Sequence, residues 1–126
     1  MTNILIIDDE VDIAKNISAI LTDENYQTYK ASNSDQAFDL ISMYKFDLII
    51  LDVWLDNSKL DGLEILKEIR KKESLPIIVI SGHGNIEMAV QAIKDGANEF
   101  IEKPFTSERL VLSVNRSIEM SIIKNE

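Results

Sequence analysis

Four short segments carry the residues able to do chemistry: Asp8, Asp9 and Glu10; Asp52; Ser81 and Gly82; and Lys103 with Pro104. Each follows an apolar run, and the first and last lie 95 positions apart. Any one acidic residue after such a run is equally well a cap for a following helix, and Glu10 is read that way. As a set they are different. Two unit charges 4 Å apart repel by about 1 kcal/mol in water and about 4 kcal/mol at an effective dielectric of 20. Asp8, Asp9 and Asp52 in one place are strained without a cation. A divalent ion with one lysine supplies +3 against −3. Oxygen ligands without cysteine or several histidines favour a hard ion, and few carboxylates with room for water and phosphate oxygens favour Mg²⁺, with Mn²⁺ able to substitute.

The apolar runs and the stretches between them must bring these residues together. Strands are expected at Asn3–Ile7, Tyr26–Lys30, Leu48–Leu51, Ile77–Ile80 and, more weakly, Glu99–Glu102. The first, third and fourth are continuous aliphatic runs, as for central strands covered on both faces, whereas the second alternates with polar residues and the fifth is charged, as for edges. Helices are expected at Val11–Thr22, with Ile13, Ile17, Ile20 and Leu21 on one stripe, and at Asp35–Tyr44, with Ala37, Phe38, Leu40 and Ile41, capped by Ser32 or Ser34. Others are expected at Leu63–Lys72, at Ile86–Lys94 before Asp95 and Gly96, and from Thr106 or Ser107 towards Ile123. Five such βα pairs make a three-layer α/β/α sandwich around a parallel sheet, and ligands of doubly wound folds bind beyond the carboxyl ends of the strands.

Composition narrows the class. The 126 residues contain no cysteine and one histidine, His83, which excludes disulfides, thiolate chemistry and a multi-histidine metal site. Thirteen basic against 22 acidic residues give a net charge of −9 and an acidic pI, so direct nucleic-acid binding by this segment is not expected. No apolar run approaches the roughly 18 residues of a membrane span, and residues 1–10 lack the basic region of a signal peptide, so a cytoplasmic location is expected. A single domain over 1–126 is expected, with the last helix from about 106 leading into a linker.

In order and spacing, Ile6-Ile7-Asp8-Asp9-Glu10, Leu51-Asp52, Ile80-Ser81-Gly82 and Lys103-Pro104-Phe105 resemble the receiver (CheY-like) domain of two-component response regulators. The resemblance covers essentially the whole chain. Asp52-Val53-Trp54-Leu55, Leu60-Asp61-Gly62-Leu63-Glu64 and the stretch from Ser81-Gly82-His83-Gly84-Asn85-Ile86 to Phe100-Ile101-Glu102-Lys103-Pro104-Phe105 are similar to receivers of the NtrC class, those of the NtrX type in particular. The resemblance implies a flavodoxin-like fold with strand order 2-1-3-4-5. It implies that Asp52 is the phosphoacceptor for the phosphohistidine of a sensor histidine kinase, and that Asp8, Asp9, Asp52 and the backbone carbonyl of Trp54 hold Mg²⁺. Lys103 and Ser81 would contact the phosphoryl group, and a cis peptide would precede Pro104. Ser81 and Phe100 would switch the face formed by the fourth helix, fifth strand and fifth helix, which controls a downstream, transcriptional output.

The sequence also departs from the family. The loop after Asp52 lacks the usual proline and is two residues longer than in CheY. Trp54 and His83 stand two positions beyond Asp52 and Ser81, where members of the family tune loss of the phosphoryl group. Trp54 is read as a shield against water; a solvated loop residue is the preferred reading of His83. In the last helix Leu110, Val114, Ile118 and Ile122 are spaced to cover the sheet, mainly in its first half, whereas Met120, Ile122 and Ile123 exceed what five strands need. They suggest a dimerising or signalling extension. A flavodoxin-type cofactor binder is disfavoured because Asp8 and Asp9 would repel a phosphate, and a haloacid-dehalogenase-type phosphatase because Trp54 stands where its second aspartate belongs. A degenerate receiver acting as a phosphorylation-independent interaction or dimerisation domain is the remaining alternative.

Overall fold

Alternate side chains of a strand point to opposite faces, so a continuous aliphatic run is stable only where both faces are covered. The computed structural model, which describes residues 1–55, 61–82 and 86–124, meets that demand with ten alternating elements. They are β1 (Asn3–Ile7), α1 (Val11–Asp23), β2 (Gln27–Ala31), α2 (Ser34–Met43), β3 (Leu48–Asp52), α3 (Gly62–Arg70), β4 (Ile77–Ser81), α4 (Ile86–Lys94), β5 (Glu99–Glu102) and α5 (Ser107–Lys124). All strand pairs are parallel and the order is β2-β1-β3-β4-β5, the flavodoxin-like arrangement of receivers. His83 and the loop residues 56–60 lie outside the described residues, as do 125–126.

The two faces carry separate cores. Leu5, Ile7, Ile49, Leu51, Ile77 and Val79 pack against Ala37 of α2, Ile65, Leu66 and Ile69 of α3 and Ala92 of α4. Their alternates Ile4, Ile6, Leu48, Ile50, Ile78 and Ile80 pack against Ala14, Ile17 and Leu21 of α1 and Leu110 and Val114 of α5. β2 and β5 are the edges expected from their polar residues.

The local differences have physical causes. Tyr26 is outside β2 because its amide donates to Leu21 O, closing α1 through Asn25 at φ 68°. Neither Ser32 nor Ser34 caps α2. Asn33, extended at φ −156° and ψ 176°, accepts from the Gln36 amide at 2.9 Å, while the Ser32 amide and hydroxyl both donate to Gln36 Oε1. Ser34 is the first helical residue. α3 begins at Gly62, since Asp61 and Glu64 form a reciprocal capping box, and it ends at Arg70. Gly96 ends α4 at φ 114°, the left-handed conformation expected there. In α5, Leu110 and Val114 are buried and Ile118 packs on the core, but Ile122, expected to cover the sheet, is exposed with Met120 and Ile123.

Candidate functional site

Strand register places the chemistry. Ile7 is level with Leu51, Asp52 with Ile80 and Ser81 with Glu102, so Asp8, Asp52, Ser81 and Lys103 all emerge at the carboxyl rim within a residue or two of the same level. Carboxylate oxygens of Asp8, Asp9, Glu10 and Asp52 lie within 4.8 Å of one another.

Two of these aspartates are held in the same way. Asp8 Oδ1 accepts from the Glu10 amide at 2.9 Å and Asp52 Oδ1 from the Trp54 amide at 3.0 Å, each a side chain bonding the backbone two residues on. The turn orients each carboxyl and leaves its second oxygen for Lys103, whose Nζ is 2.8 Å from Asp52 Oδ2 and 3.2 Å from Asp8 Oδ2. Lys103 Nζ also lies 3.4 Å from Glu10 Oε1. Glu10 occupies the N-cap of α1, but its side chain makes no capping hydrogen bond. Its place among the carboxylates corrects the reading of Glu10 as merely a cap; the unbroken acidic run Asp8-Asp9-Glu10 was the available signal.

Electrostatics reflect crowding in a buried place. Asp8 is pushed up from 3.8 to about 6, first by burial and then by the Asp52 charge, against the opposing effects of the Glu10 amide and Lys103. Burial works to lower the Lys103 pKa, but its hydrogen bond to Asp52 and the charges of Asp52 and Asp8 outweigh this and hold it above the ordinary value. Asp8 Oδ2 is buried without a hydrogen bond of good geometry among the described residues. A buried anionic oxygen in that position, surrounded by further carboxylates, fits a hard divalent cation such as Mg²⁺.

Glycines allow the close approach of the surrounding chain. A Cβ on Gly62 would lie 2.2 Å from the Asp52 carbonyl oxygen and 2.4 Å from Val53 Cα, so a side chain there cannot coexist with this backbone. A Cβ on Gly82 would come 3.2 Å from Lys103 Cδ, so glycine leaves room for the lysine stem. In the sequence Gly62 stood out only within the motif Leu60-Asp61-Gly62-Leu63-Glu64, which does not show what it packs against.

Ser81 is buried at the end of β4, and its hydroxyl has no hydrogen-bond partner among the described residues. Trp54 is half exposed beside the acceptor. Phe100 is partly buried on β5, level with Val79 and packed on the core that carries α3 and α4. The Lys103–Pro104 peptide is cis.

Comparison with known proteins identifies the family. The family description "Response regulator receiver domain" matches residues 4–115. The nitrogen assimilation regulatory protein NtrX of Azorhizobium caulinodans is 47% identical over 125 residues, covering 98% of this chain and 28% of that protein. The chain thus spans little more than a quarter of such relatives. The crystal structure of the receiver domain of NtrX from Brucella abortus superposes with a TM-score of 0.90 at 50% identity, covering 92% of this chain and 98% of that one. The solution structure of the beryllofluoride-activated NtrC4 receiver domain dimer gives 0.88 at 39% identity, covering 95% and 98%. With the motifs at the rim, the strand order and these matches in agreement, the chain belongs to the receiver domains of two-component response regulators and is NtrX-like among them.

Proposed function

We propose that this domain is a phosphorylation-driven switch whose acceptor is Asp52, and the observation that carries the reading is the Asp52 carboxylate held between the Trp54 amide and Lys103 Nζ beside Asp8 and Asp9. In the transfer, an Asp52 oxygen forms a bond to the phosphorus of a kinase phosphohistidine. The P–N bond breaks with its electron pair, and imidazole departs. Asp52 is pre-oriented by its turn, so little of the barrier is spent on positioning. Lys103 contributes a fixed positive charge where phosphoryl oxygens arrive.

Asp8, Asp9, Asp52 and the Trp54 carbonyl would hold Mg²⁺. When bound, the ion supplies neutralisation of the charge gathered on the transferring group. Ser81 has a buried hydroxyl, without a hydrogen-bond partner among the described residues, able to donate to a phosphoryl oxygen. Its movement, with Phe100, would reshape the face of α4, β5 and α5, a two-state element biased by local charge. The exposed Ile86, Val90 and Ile93 of α4 and Leu112, Met120, Ile122 and Ile123 of α5 supply apolar surface for a homodimer on that side. The half-exposed Trp54 shields the phosphoryl group from water. The partner is a cytoplasmic sensor histidine kinase domain, the output is transcriptional, and residues 1–126 act as one receiver unit; among the described residues no helix is long and apolar enough to cross a membrane.

The deciding experiment is incubation with acetyl phosphate and Mg²⁺ followed by intact mass measurement. A phosphoryl adduct that disappears in Asp52→Ala is expected. No adduct with this donor and none with a cognate kinase would leave the degenerate receiver as the better reading.

A further inference from the structure

Phosphoryl transfer to Asp52 gives Glu10 no task. Its side chain occupies a helix N-cap without capping and turns instead towards Lys103, 93 positions away, with Oε1 at 3.4 Å from Nζ. The side chains of Asp8 and Asp52 are 2% and 3% exposed, whereas that of Glu10 is 58% exposed, so Glu10 forms the solvent side of the carboxylate group. An ammonium group has three N–H donors, and Lys103 has three carboxylate neighbours, at 2.8, 3.2 and 3.4 Å. The contacts to Asp52 and Glu10 are hydrogen bonds, whereas that to Asp8 is an ion pair without hydrogen-bond geometry. Glu10 makes the longest and most solvated of the three contacts, on the side from which a donor arrives.

We propose that Glu10 is a specificity-determining residue for the phosphodonor: its exposed carboxylate, paired with Lys103, repels small free donors in proportion to their negative charge and disfavours Asp52 phosphorylation by dianionic acyl phosphates. The proposal rests on Asp52 being the acceptor. With acetyl phosphate, an Asp52 oxygen bonds to phosphorus, the P–O bond to the acyl group breaks with its electron pair, and acetate leaves without needing a proton. With phosphoramidate, a monoanion whose nitrogen is already protonated, the P–N bond breaks and ammonia leaves. Repulsion scales with donor charge, so neutralising Glu10 accelerates the monoanion by the square root of the factor for the dianion. At a separation of about 6 Å in a water-like dielectric these factors are about threefold and about tenfold.

The test compares the wild-type domain with Glu10→Gln, at Mg²⁺ concentrations shown to be saturating for each by the fluorescence of Trp54, the single tryptophan. Adduct formation is followed by mass for both donors at low and high salt. Glu10→Ser, which gives α1 a good capping residue, is a second neutral variant whose fold is protected. Expected are a gain of about tenfold with acetyl phosphate and about threefold with phosphoramidate, in both variants. These gains shrink as the screening length falls from about 10 Å at 0.1 M salt to about 3 Å at 1 M. Equal gains for both donors, no gain, or gains indifferent to salt overturn the proposal. Absence of any adduct on the wild-type protein, from these donors and from a kinase, would instead overturn the Asp52 reading.

Discussion

Replacing Asp8 by Asn is expected to stabilise the metal-free domain at neutral pH. Asn retains an Oδ1 acceptor for the Glu10 amide and removes the charge on an oxygen that lacks a well-formed hydrogen bond. The magnitude follows from the rise of the Asp8 pKa from 3.8 to about 6. The unfolded chain releases this proton near 3.8 and the folded domain near 6, so stability contributed by the protonated carboxyl is complete below about 4 and is lost as pH rises through 6. At 1.36 kcal/mol per decade the full penalty is about 3 kcal/mol. Solvent screening at the open rim reduces it to about 1–2 kcal/mol. An unfolding entropy of about 2.1 cal/mol/K per residue converts this to a rise of about 4–8 °C in melting temperature. Calorimetry at pH 7 in EDTA measures it, and the gap to wild type should close towards pH 4. With Mg²⁺ at a hundredfold excess over Kd, wild type should gain about 2.7 kcal/mol, about 10 °C, and Asp8→Asn much less. A folded Asp8→Asn variant that melts at or below wild type in EDTA at pH 7 would refute the argument that crowded carboxylates strain the site.

The remaining expectations concern neighbouring parts of the same rim and one helix cap. Lys103→Met removes the cation shared by Asp8, Glu10 and Asp52 and should lower stability in EDTA by about 3 kcal/mol, read as a calorimetric loss of about 11 °C. Gly62→Ala forces a methyl group to 2.2 Å from the Asp52 carbonyl oxygen and should cost about 3 kcal/mol in urea unfolding while weakening the Mg²⁺ response; unchanged values would contradict the close approach of α3 to the acceptor strand. Asn33→Ala should cost about 1 kcal/mol by thermal melting without altering the Mg²⁺ response, since it removes the α2 cap. Trp54→Ala should shorten the lifetime of the phosphoryl adduct followed by mass, and an unchanged lifetime would remove the shielding role.

The order of elements was legible because burial on two faces demands the aliphatic runs at residues 4–7, 48–51 and 77–80, and those runs lie in the local sequence. Residue types at the strand ends likewise marked Asp8, Asp9, Asp52, Ser81 and Lys103. Cap assignments were less legible, because Ser32, Asn33 and Ser34 are all competent N-cap residues and backbone conformation chooses among them.

What the sequence alone determined was the inventory of the rim and the alternation that builds the sheet, because apolar periodicity and residue chemistry are local properties. Only the tertiary structure decided that Glu10 joins the carboxylate group, that Lys103 serves three acids and that Gly62 lies against the acceptor backbone. These are contacts across 9 to 95 positions of chain, and strand register and helix packing, not neighbouring residues, set such distances.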